Sequence, residues 1–195
     1  MNDVVSAPPA LTPTREGAQF EPRELATLQG SIRVPVPNRI VHLQLRRFAG
    51  CPICSLHLRS FVERHDEVVA AGVVEVAVFH SSAEDLRKVH THLPFAVVPD
   101  PQKHLYAELG VGTSPRALMH PRAWVAMARA LVVGASPDPG AGHGDGSFGL
   151  PADFLIGGSG RILAGKHGRH ADDQWSVDEV LALARKHSGS QLKQY

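Results

Sequence analysis

Apolar and polar positions first alternate cleanly in "RIVHLQLRRF" (39–48), where Val41, Leu43 and Leu45 interleave with His42, Gln44 and Arg46. A two-residue period predicts a β-strand with one apolar and one more polar face. The period then lengthens. Through "PICSLHLRSFVERHDEVVAA", Ile53, Leu56, Phe61, Val62, Val68 and Val69 recur at mostly helical spacing. This predicts a helix opened by Pro52 and closed by Gly72. "VVEVAVFH" (73–80) predicts a second strand, and Ser81 or Ser82 caps a helix through "AEDLRKVHTH". "FAVVPD" (95–100) is a third extended piece and "PQKHLYAELG" (101–110) a short helix. The order β-α-β-α-β-α, with crossovers long enough for parallel strands, predicts an α/β fold.

On either side the rhythm changes. Residues 1–20, rich in Pro, Ala, Ser and Thr, are expected to form a poorly ordered tail, and "EPRELATLQG" (21–30) a short helix ended by Gly30. Two prolines bar "SIRVPVPN" (31–38) from a central strand. Beyond residue 112, "PRAWVAMARALVVG" (121–134) predicts a helix on which Trp124, Val125, Met127, Ala128, Leu131 and Val132 cover most of the circumference. Such a helix must be buried. Its own domain, a second copy in a homodimer through residues 121–133, or an apolar substrate pocket that it floors would each suffice. The glycine-rich run "ASPDPGAGHGDGSFG" follows as a flexible loop leading to Pro151, and its motion would gate whatever lies there. "ADFLIG" (152–157) and "RILAGK" (161–166) flank a tight turn as a hairpin, and "SVDEVLALARKH" (176–187) is a terminal amphipathic helix. The expected organisation is an extension over 1–30, one domain over 31–187 with an insert at 112–150, and a tail over 188–195.

Composition narrows the function classes. A formal net charge of +1 gives no strong basic field, so nucleic acid is not an expected partner. The N-terminus lacks the basic start and apolar core of a signal peptide, and no apolar run approaches the roughly 20 residues of a membrane span. A cytoplasmic protein without a membrane span is therefore expected. No motif calls for a cofactor.

The chain has two cysteines, Cys51 and Cys54, separated by Pro52 and Ile53 at the strand-to-helix junction. In a reducing compartment such a pair suggests redox or metal chemistry rather than a structural staple. At a helix start the unpaired N–H groups and the helix dipole favour a thiolate, and C-x-x-C thiols there reach pKa values of roughly 3.5–7.5. Cys51 is thus expected to be the exposed attacking thiol and Cys54 the more buried resolving thiol within disulfide reach. Arg46 and Arg47 would lower the Cys51 pKa further by folding back toward the sulfur. Two other readings stand beside this one. Both cysteines can be small hydrophobes in a helix start, or they can join His167 and His170, or His57, in a zinc site. The H-x2-H spacing is tighter than usual for structural zinc.

"RRFAGCPIC", "FHSSAEDLR", "VVPDPQKHLYAELGV" and "LPADFLIGGSGRILAGKHG" together resemble the thioredoxin-like superfamily. Within it they are most similar to the AhpC/TSA peroxiredoxin-like group that carries a C-x-x-C, the peroxiredoxin-like 2 type. The resemblance covers roughly residues 30–187. It implies a thioredoxin-like fold with a mixed central sheet, Cys51 as nucleophilic or peroxidatic cysteine and Cys54 as its partner. It also implies that Pro151 is a cis proline beside the cysteines, keeping a backbone edge open for substrate. The substrate would be a peroxide or a disulfide, reset by an external thioredoxin- or glutaredoxin-like thiol. Three positions depart from the group. Gln44 and Phe48 stand where peroxiredoxins carry a Pro and a Thr or Ser, and Leu45 stands where thioredoxins carry a buried Asp. His42, Gln44 and His57, or the His167 and His170 imidazoles of "KHGRHADDQW" (166–175), are the candidates to move protons instead, while the other reading of "HADDQWS" is a capping turn anchored by Trp175 with its acids solvated. A non-catalytic redox sensor and a zinc-binding protein remain the rival functions.

Overall fold

The computed structural model describes residues 12–114, 120–132 and 149–191. The proposed gating loop after residue 134 lies outside these residues, apart from Gly149. Strands β1 (Arg23–Thr27) and β2 (Gly30–Val34) form an antiparallel hairpin. Strand β3 (Ile40–Arg46) runs into helix α1 (Pro52–Glu63), then α2 (His65–Ala70) and β4 (Val73–Phe79). Helix α3 (Ala83–Val89), β5 (Ala96–Pro99), α4 (His104–Glu108) and α5 (Pro121–Val132) follow. Strands β6 (Ala152–Ile156) and β7 (Ile162–His167) and helix α6 (Val177–Gln191) complete the chain.

The central sheet has the order β5-β4-β3-β6-β7. β3, β4 and β5 are parallel, while β6 and β7 are antiparallel additions, so the sheet is mixed as expected. Each face carries its own core. Leu58 and Phe61 of α1, Trp175, and Val180 and Leu181 of α6 pack on one face. Phe20, Leu105, Tyr106 and Leu109 pack on the other, against Val41, Leu43 and Leu45. The alternation in β3 therefore sorts side chains onto two faces, but the polar face is buried as completely as the apolar one.

Several expectations are corrected. Residues 21–30 form a strand and turn rather than a helix, because Glu24 and Leu25 pair with Arg33 and Ile32 across the hairpin. The tail does not extend to residue 30: Phe20 is in the core, and Gly17 N–H donates to the Ile162 carbonyl at 2.8 Å. The single helix expected over 52–71 is broken at Arg64, whose backbone (φ −116°, ψ 23°) leaves the helical region. The C-terminal helix continues through Gln191, into the expected tail. Helix α5 buries its small residues, Ala123, Ala126 and Ala130, and leaves Trp124, Val125, Leu131 and Val132 exposed.

Candidate active site

The polypeptide leaves β3 at Arg46, turns through Phe48–Gly50 and enters α1 at Pro52. The turn is pinned from two sides: Ala49 N–H donates to Ser81 Oγ at 2.9 Å, and the Ala49 carbonyl bonds His90 Nε2 at 2.9 Å. Cys51 is the N-cap of α1, and its sulfur accepts the Cys54 backbone N–H at 3.3 Å. Proline at the first helical position costs no hydrogen bond. Both cysteines are free thiols, and Cys54 Sγ donates to Cys51 Sγ at 2.8 Å.

The two sulfurs are electrically unlike. Burial pushes the Cys51 thiol up, but the Cys54 hydrogen bonds and the Arg47 guanidinium, with Nη1 3.5 Å from the sulfur, bring its pKa down to about 7. Burial and the adjacent Cys51 sulfur push Cys54 well above the ordinary thiol range. Cys51 is thus the more acidic of the pair, as its place in the helix predicts. It is not exposed, however. Both cysteines have no solvent-accessible surface, and they lie in a cluster with Phe48, Ile53, Ala123, Ala126 and Ala171. The alanine face of α5 closes over the thiols.

Beneath them, the polar face of β3 supports a buried ionic layer. Register places His42 opposite Glu75 on β4 and Gln44 opposite Asp153 on β6. His42 Nδ1 lies 2.9 Å from Glu75 Oε2 and its Nε2 3.1 Å from Asp153 Oδ1. Burial would lower the His42 pKa, but Glu75 and Asp153 hold it up at about 9, so both ring nitrogens donate. Gln44 donates to Glu75. Arg46 Nη2 donates to Asp153 Oδ1 at 2.7 Å, to Gln44 Oε1 at 2.5 Å and to His57 Nε2 at 3.1 Å. Burial opposes ionisation of Asp153, but Arg46 and His42 hold its carboxyl well below the usual carboxylate range. Burial and Arg46 push His57 well below the ordinary imidazole range, leaving it neutral. The layer holds two cations and two carboxylates.

The site residues expected from the sequence thus divide. Cys51, Cys54 and Arg47 come together; His42, Gln44, Arg46 and His57 form the layer beneath. Arg46 turns away from the sulfurs to Asp153, so only Arg47 acts on Cys51. Glu75, Asp153 and Tyr106 were missed, although Asp153 directly follows the "PA" that opens β6 and faces Gln44 across it. Tyr106 Oη bonds the carbonyls of Arg46 and Val78, tying α4 to the ends of β3 and β4. Pro151 directly precedes β6 and follows Leu150 through a trans bond, because the cis peptide among the described residues is Val34–Pro35. Its neighbourhood is not an open edge either. Leu150 N–H donates to the Gly112 carbonyl at 3.2 Å, and the Pro151 carbonyl accepts Gly168 N–H at 2.9 Å. A Cβ on Gly168 would stand 2.8 Å from Pro151 Cγ, so this close approach requires glycine.

Among the described residues no group of three or more His, Cys, Asp or Glu side chains is arranged to hold a metal ion. His167 bonds the Leu109 carbonyl at 3.0 Å, and His170 stacks on His120 with ring centroids 4.2 Å apart. The "HADDQWS" segment is the expected turn with Trp175 buried, but Asp173 is not solvated: it accepts Arg169 N–H and pairs with Lys166.

Solved structures with this fold include a 2-Cys peroxiredoxin from Plasmodium vivax (TM-score 0.65, 14% identity, covering 92% of this chain and 85% of that one). A peroxiredoxin 6 from Arenicola marina gives a TM-score of 0.63 at 15% identity, covering 91% and 75%. A protein from Chlorobium tepidum assigned as the thiol:disulfide interchange protein DsbE gives 0.57 at 18%, covering 89% and 99%. At these identities the likeness is one of fold. No curated protein matches the chain. The AhpC/TSA family model matches residues 18–163, which span the hairpin, the thiol pair and the ionic layer. The chain belongs to the AhpC/TSA family, a family of thiol-dependent redox proteins.

Proposed function

We propose that the protein is a dithiol oxidoreductase that cycles between the Cys51/Cys54 dithiol and an intramolecular disulfide. The observation that carries this reading is the capping position of Cys51 with the Cys54 sulfur 2.8 Å away. The Cys51 thiolate attacks one sulfur of a substrate disulfide, breaking the S–S bond and expelling one thiolate, which takes up a proton. The Cys54 thiol then loses its proton and attacks the Cys51 sulfur, releasing the second substrate thiol. The net change is the oxidation of two protein thiols and the reduction of one disulfide. An external thiol of the thioredoxin or glutaredoxin type restores the dithiol.

Arg47 supports a second substrate for the same pair. Its guanidinium beside Cys51 can donate to a peroxide oxygen as the thiolate attacks the other oxygen. The products are a Cys51 sulfenic acid and an alcohol or water, and Cys54 then closes the disulfide with loss of water. Phe48 supplies no hydroxyl to orient a peroxide, which favours disulfides over peroxides.

The test is stopped-flow oxidation of the reduced protein by a small disulfide and by hydrogen peroxide, for wild type, Cys51→Ser and Cys54→Ser. Cys51→Ser is expected to be inert. Cys54→Ser is expected to complete one attack and stall as a mixed disulfide visible by mass spectrometry. Wild-type rates equal to the uncatalysed background would sink the proposal.

A further inference from the structure

Helix α5 is amphipathic in the reverse of the usual sense. It buries three alanines and turns its bulky apolar residues to solvent. Among the described residues five large apolar side chains are exposed, and four of them stand on this helix: Trp124 at 70%, Val125 at 51%, Leu131 at 52% and Val132 at 87%. Trp124, Ala128, Leu131 and Val132 are spaced at i, i+4, i+7 and i+8, so they form one stripe along the helix. A groove of about 500 Å³ adjoins the stripe, lined by Leu56 of α1 and by Val125, Ala128, Arg129 and Val132. Contiguous apolar surface of this kind marks a docking face, whereas single exposed apolar side chains do not.

The charge on the helix has one sign. Arg122 and Arg129 are both exposed, and the segment Pro121–Val132 contains no acidic residue. Their charges also reach the neighbouring turn, Arg122 at His170 and Arg129 at Asp172. A second copy of α5 laid against this face would bring two more arginines and no carboxylate. An anionic partner matches the face better. Tryptophan and aliphatic residues on one helical face, flanked by arginine, are the composition of helices that lie in a lipid–water interface. Acyl chains also fill an apolar groove without needing a shape made for it.

We propose that the outer face of α5 docks on an anionic lipid bilayer, with Trp124, Leu131 and Val132 entering the interfacial layer and Arg122 and Arg129 meeting the acidic headgroups. The inner face of the same helix closes over Cys51 and Cys54. Docking therefore sets the thiol pair about one helix diameter, roughly 10 Å, from the lipid. The surface is separate from the reacting sulfurs, so its test needs no redox chemistry and its failure leaves the dithiol reading untouched.

The test mixes the full-length protein with vesicles of phosphatidylcholine alone, or of phosphatidylcholine and phosphatidylglycerol in equal parts. Binding is read by co-sedimentation and by tryptophan emission. The chain has two tryptophans, and Trp175 is buried at 7% exposure, so a blue shift on binding reports Trp124. Co-sedimentation and a blue shift are expected with the anionic vesicles, weakening as salt is raised, and neither with phosphatidylcholine alone. Arg129→Gln is expected to weaken binding about fivefold, the worth of one basic side chain at an anionic surface. The double variant Trp124→Ser/Val132→Asp is expected to lose binding while keeping its urea midpoint, because both side chains are exposed. Val69→Ser, at the exposed apolar residue on α2, is expected to bind as wild type does. Binding that survives the double variant places the contact on another surface and overturns the inference. Equal binding to both kinds of vesicle overturns the role of the arginines and with it the anionic bilayer. No binding to either also overturns it, and a dimer in sedimentation equilibrium that Val132→Asp dissociates would then give the face to a second copy.

Discussion

Cys51 and Cys54 differ by three positions in sequence and by the direction in which the fold moves their acidities. Hydrogen bonds from Cys54, the charge of Arg47 and the helix N-terminus stabilise charge on Cys51; Arg47 reaches Cys54 as well, but burial and the adjacent Cys51 sulfur outweigh it there. Because ionisation follows the lowered pKa, the rate of Cys51 alkylation is expected to rise with pH around a midpoint near 7 and to level off above it. Arg47→Ala should move that midpoint upward, as mass-spectrometric mapping of iodoacetamide adducts would read. A midpoint unchanged by Arg47→Ala would assign the lowering to Cys54 and the helix start alone. The two thiols and Arg47 were legible in the sequence because helix-start chemistry depends on neighbours a few residues apart. That Cys51 is sealed from solvent was not, since Ala123, Ala126 and Ala171 arrive from far along the chain.

At the scale of elements, β3 is the informative strand. Its alternation announced two faces, one apolar and one more polar. In the folded chain that face meets α1 and Trp175, with Phe61 and Trp175 rings 5.4 and 6.1 Å from His42. Polar side chains survive there because β4 and β6 bring Glu75 and Asp153 into register, a pairing no local pattern reveals. Asp153→Asn leaves His42 and Arg46 with a deficit of buried negative charge, and is expected to cost about 3–5 kcal/mol in urea unfolding. The layer also gives stability a pH dependence of known sign. The folded protein keeps a proton on His42 up to about pH 9, whereas the unfolded chain releases it near 6.5. The His42 contribution is therefore complete below about 6.5 and is lost as pH rises through 9. His42→Gln should flatten this part of the stability profile, and an unchanged slope would show that another group sets it. Helix α5 corrects a different kind of inference. Apolar residues around most of its circumference suggested complete burial, but only Ala123, Ala126 and Ala130, with Met127 partly buried beside them, face inward. Ala130→Leu, at a fully buried position, is expected to cost about 1–3 kcal/mol by overpacking. Trp124→Ser, at a side chain 70% exposed, should change stability by less than about 0.5 kcal/mol.

Across the whole molecule, the N-terminal region does more than its composition suggested. Proline and small polar residues pointed to a tail, yet Thr14 N–H donates to the Leu109 carbonyl and Phe20 fills the core on the Tyr106 face of the sheet. Leu28 N–H then reaches the Val97 carbonyl at 2.9 Å, so the hairpin covers the β5 edge. Phe20→Ala is expected to cost about 3–5 kcal/mol, measurable as a lower urea midpoint with an unchanged slope. The mixed sheet itself was readable from the order of strands and helices, because parallel crossovers and a late hairpin leave periodic signatures. The hairpin at the start was not, since its residues pair with each other and alternate too weakly over five positions.

The seal that α5 places over the sulfurs turns chemical reactivity into a question of timing. No reagent in solution touches Cys51 until the alanine face lifts or Ala171 moves aside, so encounter and reaction become separate events. With rising concentrations of iodoacetamide at pH 9, where Cys51 is ionised, the labelling rate should climb and then plateau. That plateau is the frequency at which the cover over Cys51 opens, a property of the protein and not of the reagent. Two alkylating agents of unequal reactivity should converge on the same limiting value. A rate that stays proportional to concentration would mean that opening is faster than either reaction.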